Sequence, residues 1–386
     1  AVSHGGGGDD WIYGIGHEGV ETVETFSGDD GDDLIYLGWT SMSAVADGGD
    51  GIDTASIVYV DGTVTADLAT ATTDPLSNPN ATSTDDADTL VSNYALASIE
   101  NLGGSDNADR LTGDTGANVI QGNGGSDTLD GGGGSDPASY ADNGGKVAID
   151  LTAGTAREYG ADGSSEASTV VSTDSLAGFE NATGSAFADS LTGDANDNTL
   201  QGNAGSDALD GGDGTDTASY ADNSGKVTVD LAAGTAQEYG PTGSPTADTV
   251  VSTDTLANIE QVIGSPNDDS LFGGHANDRL HGGHGDDILV SGAGIVDIAY
   301  GGPGADTHVF GAELENGIRE TDIIQDYDPL LDLIDLGGSE VVADVESTGS
   351  VTLFAGADLD VIIVNGATSL ESLGFTETSL NPEAGA

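Results

Sequence analysis

The chain has 386 residues, with 68 aspartates and glutamates against 6 lysines and arginines, a formal net charge of −62. Nucleic acid and anionic membrane surfaces are poor partners for such a chain, and self-repulsion on this scale opposes any compact state unless cations are bound. There is no cysteine to form a disulfide, and no apolar run approaches the roughly 18 residues of a membrane-spanning helix, so membrane insertion is not expected.

The chain opens AVSHGGGGDD, already inside a glycine-rich pattern and without an initiator Met. That is expected of a chain beginning after processing or of an excised segment, and no signal peptide is visible. Within residues 1–56, GGGGDDWIY (5–13), GDDGDDLIY (28–36) and GGDGIDTAS (48–56) share a nine-residue pattern. Glycine stands first and fourth, an acid sixth (Asp10, Asp33, Asp53) and an apolar residue eighth. Residues 19–27 fit loosely, with Glu24 in the acidic place.

A longer period follows. Residues 101–180 repeat as 181–260 with an offset of 80 and no gap, and an earlier copy ends at Glu100. Each long unit opens with four nonapeptides. In the first they are GSDNADRLT, GDTGANVIQ, GNGGSDTLD and GGGGSDPAS, spanning 104–139. Their sixth residues are Asp109, Asn118, Asp127 and Asp136, and their eighth are Leu111, Ile120, Leu129 and Ala138. The second unit places Asp189, Asn198, Asp207 and Asp216 sixth. An excursion then starts at Tyr140 (Tyr220 in the next unit). It carries an alternating strand, Val147, Ile149 and Leu151, then a Gly-, Ser- and Thr-rich bend, then apolar Val170, Leu176 and Phe179. These excursions are expected to be longer rungs of one stack. A last nonapeptide block, 264–309, has Asp269, Asp278, Asp287, Asp297 and Asp306 sixth, with one ten-residue step around Ser291.

The pattern has a direct physical meaning. Glycine lets the chain turn with positive φ and brings carbonyls close to a ligand. The sixth residue adds a carboxylate. Places seven to nine make a very short strand with one inward apolar side chain. No nonapeptide buries a core alone, whereas stacked copies do, which makes a solenoid.

On these residues the chain resembles the hemolysin-type calcium-binding (RTX) repeat family, whose pattern is G-G-x-G-x-D-x-U-x. The resemblance implies an all-β fold: a right-handed parallel β-roll or β-helix solenoid with calcium-binding turns. It implies two nonapeptides per coil and an ion held between turns two repeats apart. Asp109 then faces Asp127, Asn118 faces Asp136, Asp189 faces Asp207 and Asn198 faces Asp216. Near the end Asp269 faces Asp287, Asp278 faces Asp297 and Asp287 faces Asp306. Carbonyls of turn glycines such as Gly125, Gly132, Gly134, Gly205, Gly212 and Gly214 complete the shells. Calcium suits a turn that supplies only carboxylates and carbonyls, being a hard cation with about six to eight oxygen ligands. The two Asn positions predict a weaker edge in each block.

After Thr307 the sequence resembles the segment that closes many RTX proteins. Asp322, Ile324, Asp326, Tyr327, Asp332, Ile334, Asp335 and Leu336 carry the likeness, with Tyr327 in place of the usual Phe. In the family this segment caps the roll and travels with type I secretion. Residues 351–354 and 361–364 read as further strands. The expected organisation is 1–56 as degenerate turns, 57–309 as solenoid and 310–386 as a small β cap.

No catalytic motif is present: no G-x-S-x-G, and His17-Glu18 lacks the second His of H-E-x-x-H. His275, His281 and His284 sit at variable turn positions and are expected to be solvated rather than metal ligands. Tyr140, Tyr159, Tyr220 and Tyr239 recur at equivalent places and suit either ladder packing or a cell-surface polysaccharide. The expected function is non-enzymatic: a secreted, extracellular protein that folds on calcium and self-associates as a surface layer, adhesin or fibre. The alternative is the calcium-binding, type I secretion module of a larger exoenzyme such as a protease, lipase or alginate epimerase.

Overall fold

The computed structural model describes residues 2–13, 24–37, 43–58, 63–69, 81–84, 90–160, 169–244, 246–310, 321–336, 341–346, 350–355, 360–365 and 373. The chain forms two compact units, Ala1–Asp194 and Ala195–Ala386. Each is an all-β parallel roll in which consecutive short strands alternate between two sheets. Among the described residues no helix is long and apolar enough to cross a membrane.

The short strands follow from the sequence pattern. Arg110–Thr112 pairs in parallel with Thr128–Asp130, so that Leu111 lies beside Leu129. On the other sheet Ile120 lies beside Ala138. All four eighth-place residues are buried. A nonapeptide orders its backbone at a cost of about 1–2 kcal/mol per residue, while its one buried Leu or Ile contributes only about 1.5–3 kcal/mol. The deficit is why a single copy cannot stand alone. Sheet hydrogen bonds between coils, and whatever neutralises the turns, make up the difference.

In the first unit one sheet runs Trp11–Tyr13, Leu34–Leu37, Thr54–Ile57, Asn101–Gly103, Ile120–Gln121, Pro137–Ser139 and Asn181–Thr183, parallel throughout. The opposite sheet begins with longer strands, Val2–Gly7, Glu24–Asp30 and Ser43–Asp50. Glu24 opens the seven-residue strand Glu24–Asp30, in which Phe26 is buried.

The excursions are three-stranded meanders inserted into this second sheet. In the first long unit, Val147–Asp150, Thr155–Tyr159 and Val170–Ala177 are antiparallel to one another. The outer two pair in parallel with Ser190–Thr192 and Thr128–Asp130. The expectation of longer rungs thus holds for the outer strands and fails for the middle one, which runs backwards. Val147, Ile149, Leu176 and Phe179 are buried, but Val170 is exposed. Val64–Asp67, Ala81–Thr84 and Leu90–Ala97 form the same meander earlier in the chain.

The second unit repeats the arrangement with Val227–Asp230, Thr235–Tyr239 and Val250–Ala257. Its last repeat places His308, not an apolar residue, in the inward eighth position; it is buried, and burial pushes its imidazole down to about 4. Beyond it lies a closing core that includes Phe310, Ile324, Tyr327, Ile334 and Leu336. Ser350–Ala355 and Asp360–Asn365 contain the two predicted cap strands. They join Val341–Glu346 in an antiparallel meander docked in parallel on Thr321–Ile324.

Candidate metal centre

The sixth residue of each repeat sits where the turn ends and the strand begins, so its side chain points toward the neighbouring coil. The Asp109 N–H donates to Asp127 Oδ1 at 2.8 Å, and the Asp127 N–H donates to Asp174 Oδ1 at 2.9 Å. On the other edge the Asn118 N–H donates to Asp136 Oδ1 at 2.7 Å, and the Asp136 N–H to Glu180 Oε2 at 3.0 Å. The carboxylates thus form two columns. Asp10, Asp33, Asp53 and Glu100 are linked in the same way near the start of the first unit.

In the second unit Asn198 leads to Asp216 and Glu260, and Asp207 to Asp254. Asp278 leads to Asp297, and Asp269 to Asp287, Asp306 and Asp332. The structure therefore juxtaposes, within each unit, the pairs the RTX resemblance implies. It adds Glu100, Asp174, Glu180, Asp254, Glu260 and Asp332, which spacing did not single out as ligands. A signal was present: Asp174 and Glu180 recur 80 positions on as Asp254 and Glu260.

The columns hold more negative charge than the protein itself satisfies. Oδ2 of Asp33, Asp53, Asp127, Asp136, Asp287 and Asp306 is buried and has no hydrogen-bond partner. A buried, unpaired carboxylate oxygen is costly unless a proton or cation meets it. Burial pushes the Asp127 and Asp287 carboxyls up to about 8, and the acidic neighbours above and below push the same way. Asp109, Asp189, Asp297 and Asp306 rise to about 6, again chiefly through burial.

The turn backbone is as close-set as the carboxylates. Gly132 and Gly134 have φ of 94° and 150°. They lie so near the carbonyl oxygens of Asp114 and Gly116 that a Cβ at either would collide with them. Gly125, Gly205, Gly212 and Gly214 share the positive φ. Carbonyl and carboxylate oxygens are therefore the donors on offer: the chain has no thiol, and the one acidic group gathered at metal-binding distance among the described residues contains no imidazole. That set fits calcium.

The columns are not uniform, and the difference runs along each one. Asp109, first in its block, is already satisfied: Val64 N–H donates to Oδ1 at 2.6 Å, and Ser105 supplies its N–H to Oδ2 at 2.5 Å and its hydroxyl at 3.0 Å. Ser185 and Val147 serve Asp189, and Ser265 and Val227 serve Asp269, in the same way. The sequence marks these turns by Ser in the second place, where other turns have Gly, Asp or Asn. Asn118 is also engaged, its Oδ1 accepting from Asp114 N–H at 2.7 Å and its Nδ2 donating to the Glu100 carbonyl at 2.6 Å. An Asp there would set a carboxylate against that carbonyl.

A family model described as the RTX calcium-binding nonapeptide repeat (4 copies) matches residues 3–14, 18–39, 103–136, 183–218 and 263–295. The chain carries RTX repeats. No curated protein matches the chain. The RTX matches cover the turns of Asp33, Asp127, Asp136 and Asp287, four of the residues with an orphaned oxygen. Calcium is accordingly the cofactor of the RTX turns.

Two other groups of residues are placed by the fold. Tyr140 and Tyr220 are buried, and their hydroxyls donate to Asp174 Oδ2 at 2.7 Å and Asp254 Oδ2 at 3.0 Å. They are thus closed to sugars, and their hydroxyls bind carboxylates. Tyr159 and Tyr239 lie under the Lys146 and Lys226 ammonium groups. His275 and His284 are exposed, as expected of solvated turn residues; His281 is half-buried and stacks on Tyr300 at 4.2 Å.

Proposed function

We propose that this is a secreted protein whose RTX turns fold on calcium and that serves a non-enzymatic, structural role at a cell surface, as a layer, adhesin stalk or fibre. One observation carries the proposal: columns of buried carboxylates in which Asp33, Asp53, Asp127, Asp136, Asp287 and Asp306 each keep an oxygen without a hydrogen-bond partner. A fold built this way depends on its cation, because binding free energy becomes folding free energy. Where free calcium is scarce, repulsion among 68 acidic residues keeps the chain open and exportable. Where calcium is plentiful, the turns close and the strands zip between them. Asp33, Asp53, Asp127, Asp136, Asp287 and Asp306 supply the anionic ligands, with turn carbonyls beside them.

Circular dichroism in chelator and in millimolar calcium tests the coupling. The expected result is an unfolded spectrum in chelator and a β-rich one in calcium at neutral pH. A β-rich spectrum after thorough chelation overturns it. Sedimentation velocity in saturating calcium tests the structural role: assemblies larger than one chain are expected, and monomers alone refute the fibre and the layer.

A further inference from the structure

The RTX columns do not account for Glu158. It sits in the backward-running middle strand of the first meander, where its side chain is only 4% exposed. One carboxylate oxygen from each of Asp127, Glu158 and Asp174 lies within 4.8 Å of the other two. Asp127 Oδ2 and Glu158 Oε1 are buried without a hydrogen-bond partner. Asp174 is held in place from two sides, by the Asp127 N–H on Oδ1 and the Tyr140 hydroxyl on Oδ2. Neighbouring Arg157 is exposed on the opposite face of the strand and does not neutralise the group.

We infer that Asp127, Glu158 and Asp174 form a further calcium site, inside the sheet, that shares Asp127 with the turn-to-turn column and adds Glu158 to it. Two oxygens on one calcium ion, each about 2.3–2.6 Å from it, stand at most about 5 Å apart. The observed span fits that limit. Magnesium needs an octahedral shell that keeps several waters, which a buried group of carboxylates does not favour. Glu158 and Tyr140 also line a cleft of about 280 Å³ with Asp106, Asn123, Asp142 and Asn143. The cleft is the route by which an ion reaches the group.

The same residue types return 80 positions later as Asp207, Glu238, Asp254 and Tyr220. There Glu238 Oε1 is again buried without a partner. A site that uses a turn residue and two meander residues makes the meander of Glu158 lock only when the adjacent coil has closed. The choice of ion rests on the calcium proposal for the turns; the existence of the site does not.

The test counts ions. Equilibrium dialysis of radioactive calcium is performed on the full chain and on Glu158→Gln, Glu238→Gln and the double variant, with circular dichroism to establish that each folds. The expected result is one ion fewer per chain in each single variant and two fewer in the double. An unchanged count in a folded double variant overturns the inference. Should the variants not fold, terbium-soaked crystals of the unaltered chain decide: an anomalous peak within ligand distance of Glu158 and Asp174 is expected. Peaks in the turns alone mean that a shared proton occupies the group, and they overturn this inference while leaving the turn proposal intact. No bound ion anywhere overturns both.

Discussion

Asp287 offers the sharpest separation of ligand from scaffold. It is buried between two coils, its Oδ1 accepting from Asp269 N–H at 2.8 Å and its own N–H donating to Asp306 Oδ1 at 3.0 Å. Its Oδ2 has no partner. Asp287→Asn keeps the acceptor on Oδ1 but sets an amide where the orphaned oxygen stood. Asp287→Ala removes both. The two variants should therefore lose calcium alike and differ in stability. The calcium midpoint should rise by roughly one to two decades in each, a single ligand's share of the range over which charge count tunes calcium sites. In saturating calcium, Ala should be less stable than Asn by about 1–3 kcal/mol, the cost of an unsatisfied buried N–H. Far-ultraviolet circular dichroism during calcium titration reads the first quantity, and urea unfolding reads the second. An unchanged midpoint in Asp287→Asn would refute the ligand role, and equal urea stability would refute the column hydrogen bond.

Other consequences follow from the same geometry. Because Ser105 and Val64 already satisfy Asp109, Asp109→Asn should shift the calcium midpoint less than Asp127→Asn, and equal shifts would show that the first turn of a block binds like the rest. Tyr140→Phe removes a buried hydroxyl from Asp174 and should cost about 1–3 kcal/mol in urea unfolding with calcium present, whereas an unmoved urea midpoint would strip that contact of weight. Acid should substitute for calcium. The carboxyls of Asp127 and Asp287, near 8 in the folded chain against an ordinary 3.8, bind protons more tightly folded than unfolded. Their stabilising contribution is fully present below about pH 4, declines as pH rises from there, and is lost above about pH 8. Chelated protein in dilute solution should thus gain β structure at pH 4 and lose it by pH 8, and a pH-independent spectrum would contradict the burial argument.

The turn chemistry was legible in the sequence because it is local and periodic. An acid at the sixth place and an apolar residue at the eighth meet their counterparts 18 residues away at the same phase, as Leu111 meets Leu129. The members that periodicity missed lie at other separations: Asp174 meets Asp127 across 47 residues and Glu180 meets Asp136 across 44. A meander intervenes, so the nine-residue period does not announce them, although both separations recur in the next 80-residue unit. Tyr140 shows the same limit from the other side, since recurrence at a fixed place did not tell a buried hydroxyl from an exposed ring.

What the sequence determined alone is therefore the unit: a nine-residue turn and strand, with carboxylates at the turns and one apolar residue inward. The physical cause is that a turn needing positive φ, an oxygen ligand and one buried side chain is fully specified by residues a few places apart. Only the tertiary structure decided how the coils are joined, which turns are already satisfied by a serine, and that the two later meanders bring Asp174 and Asp254 into the column. Those outcomes depend on which strand lies beside which, and the meander settles this by reversing direction, so that Glu158, far from any repeat position, comes to lie against Asp127 and Asp174.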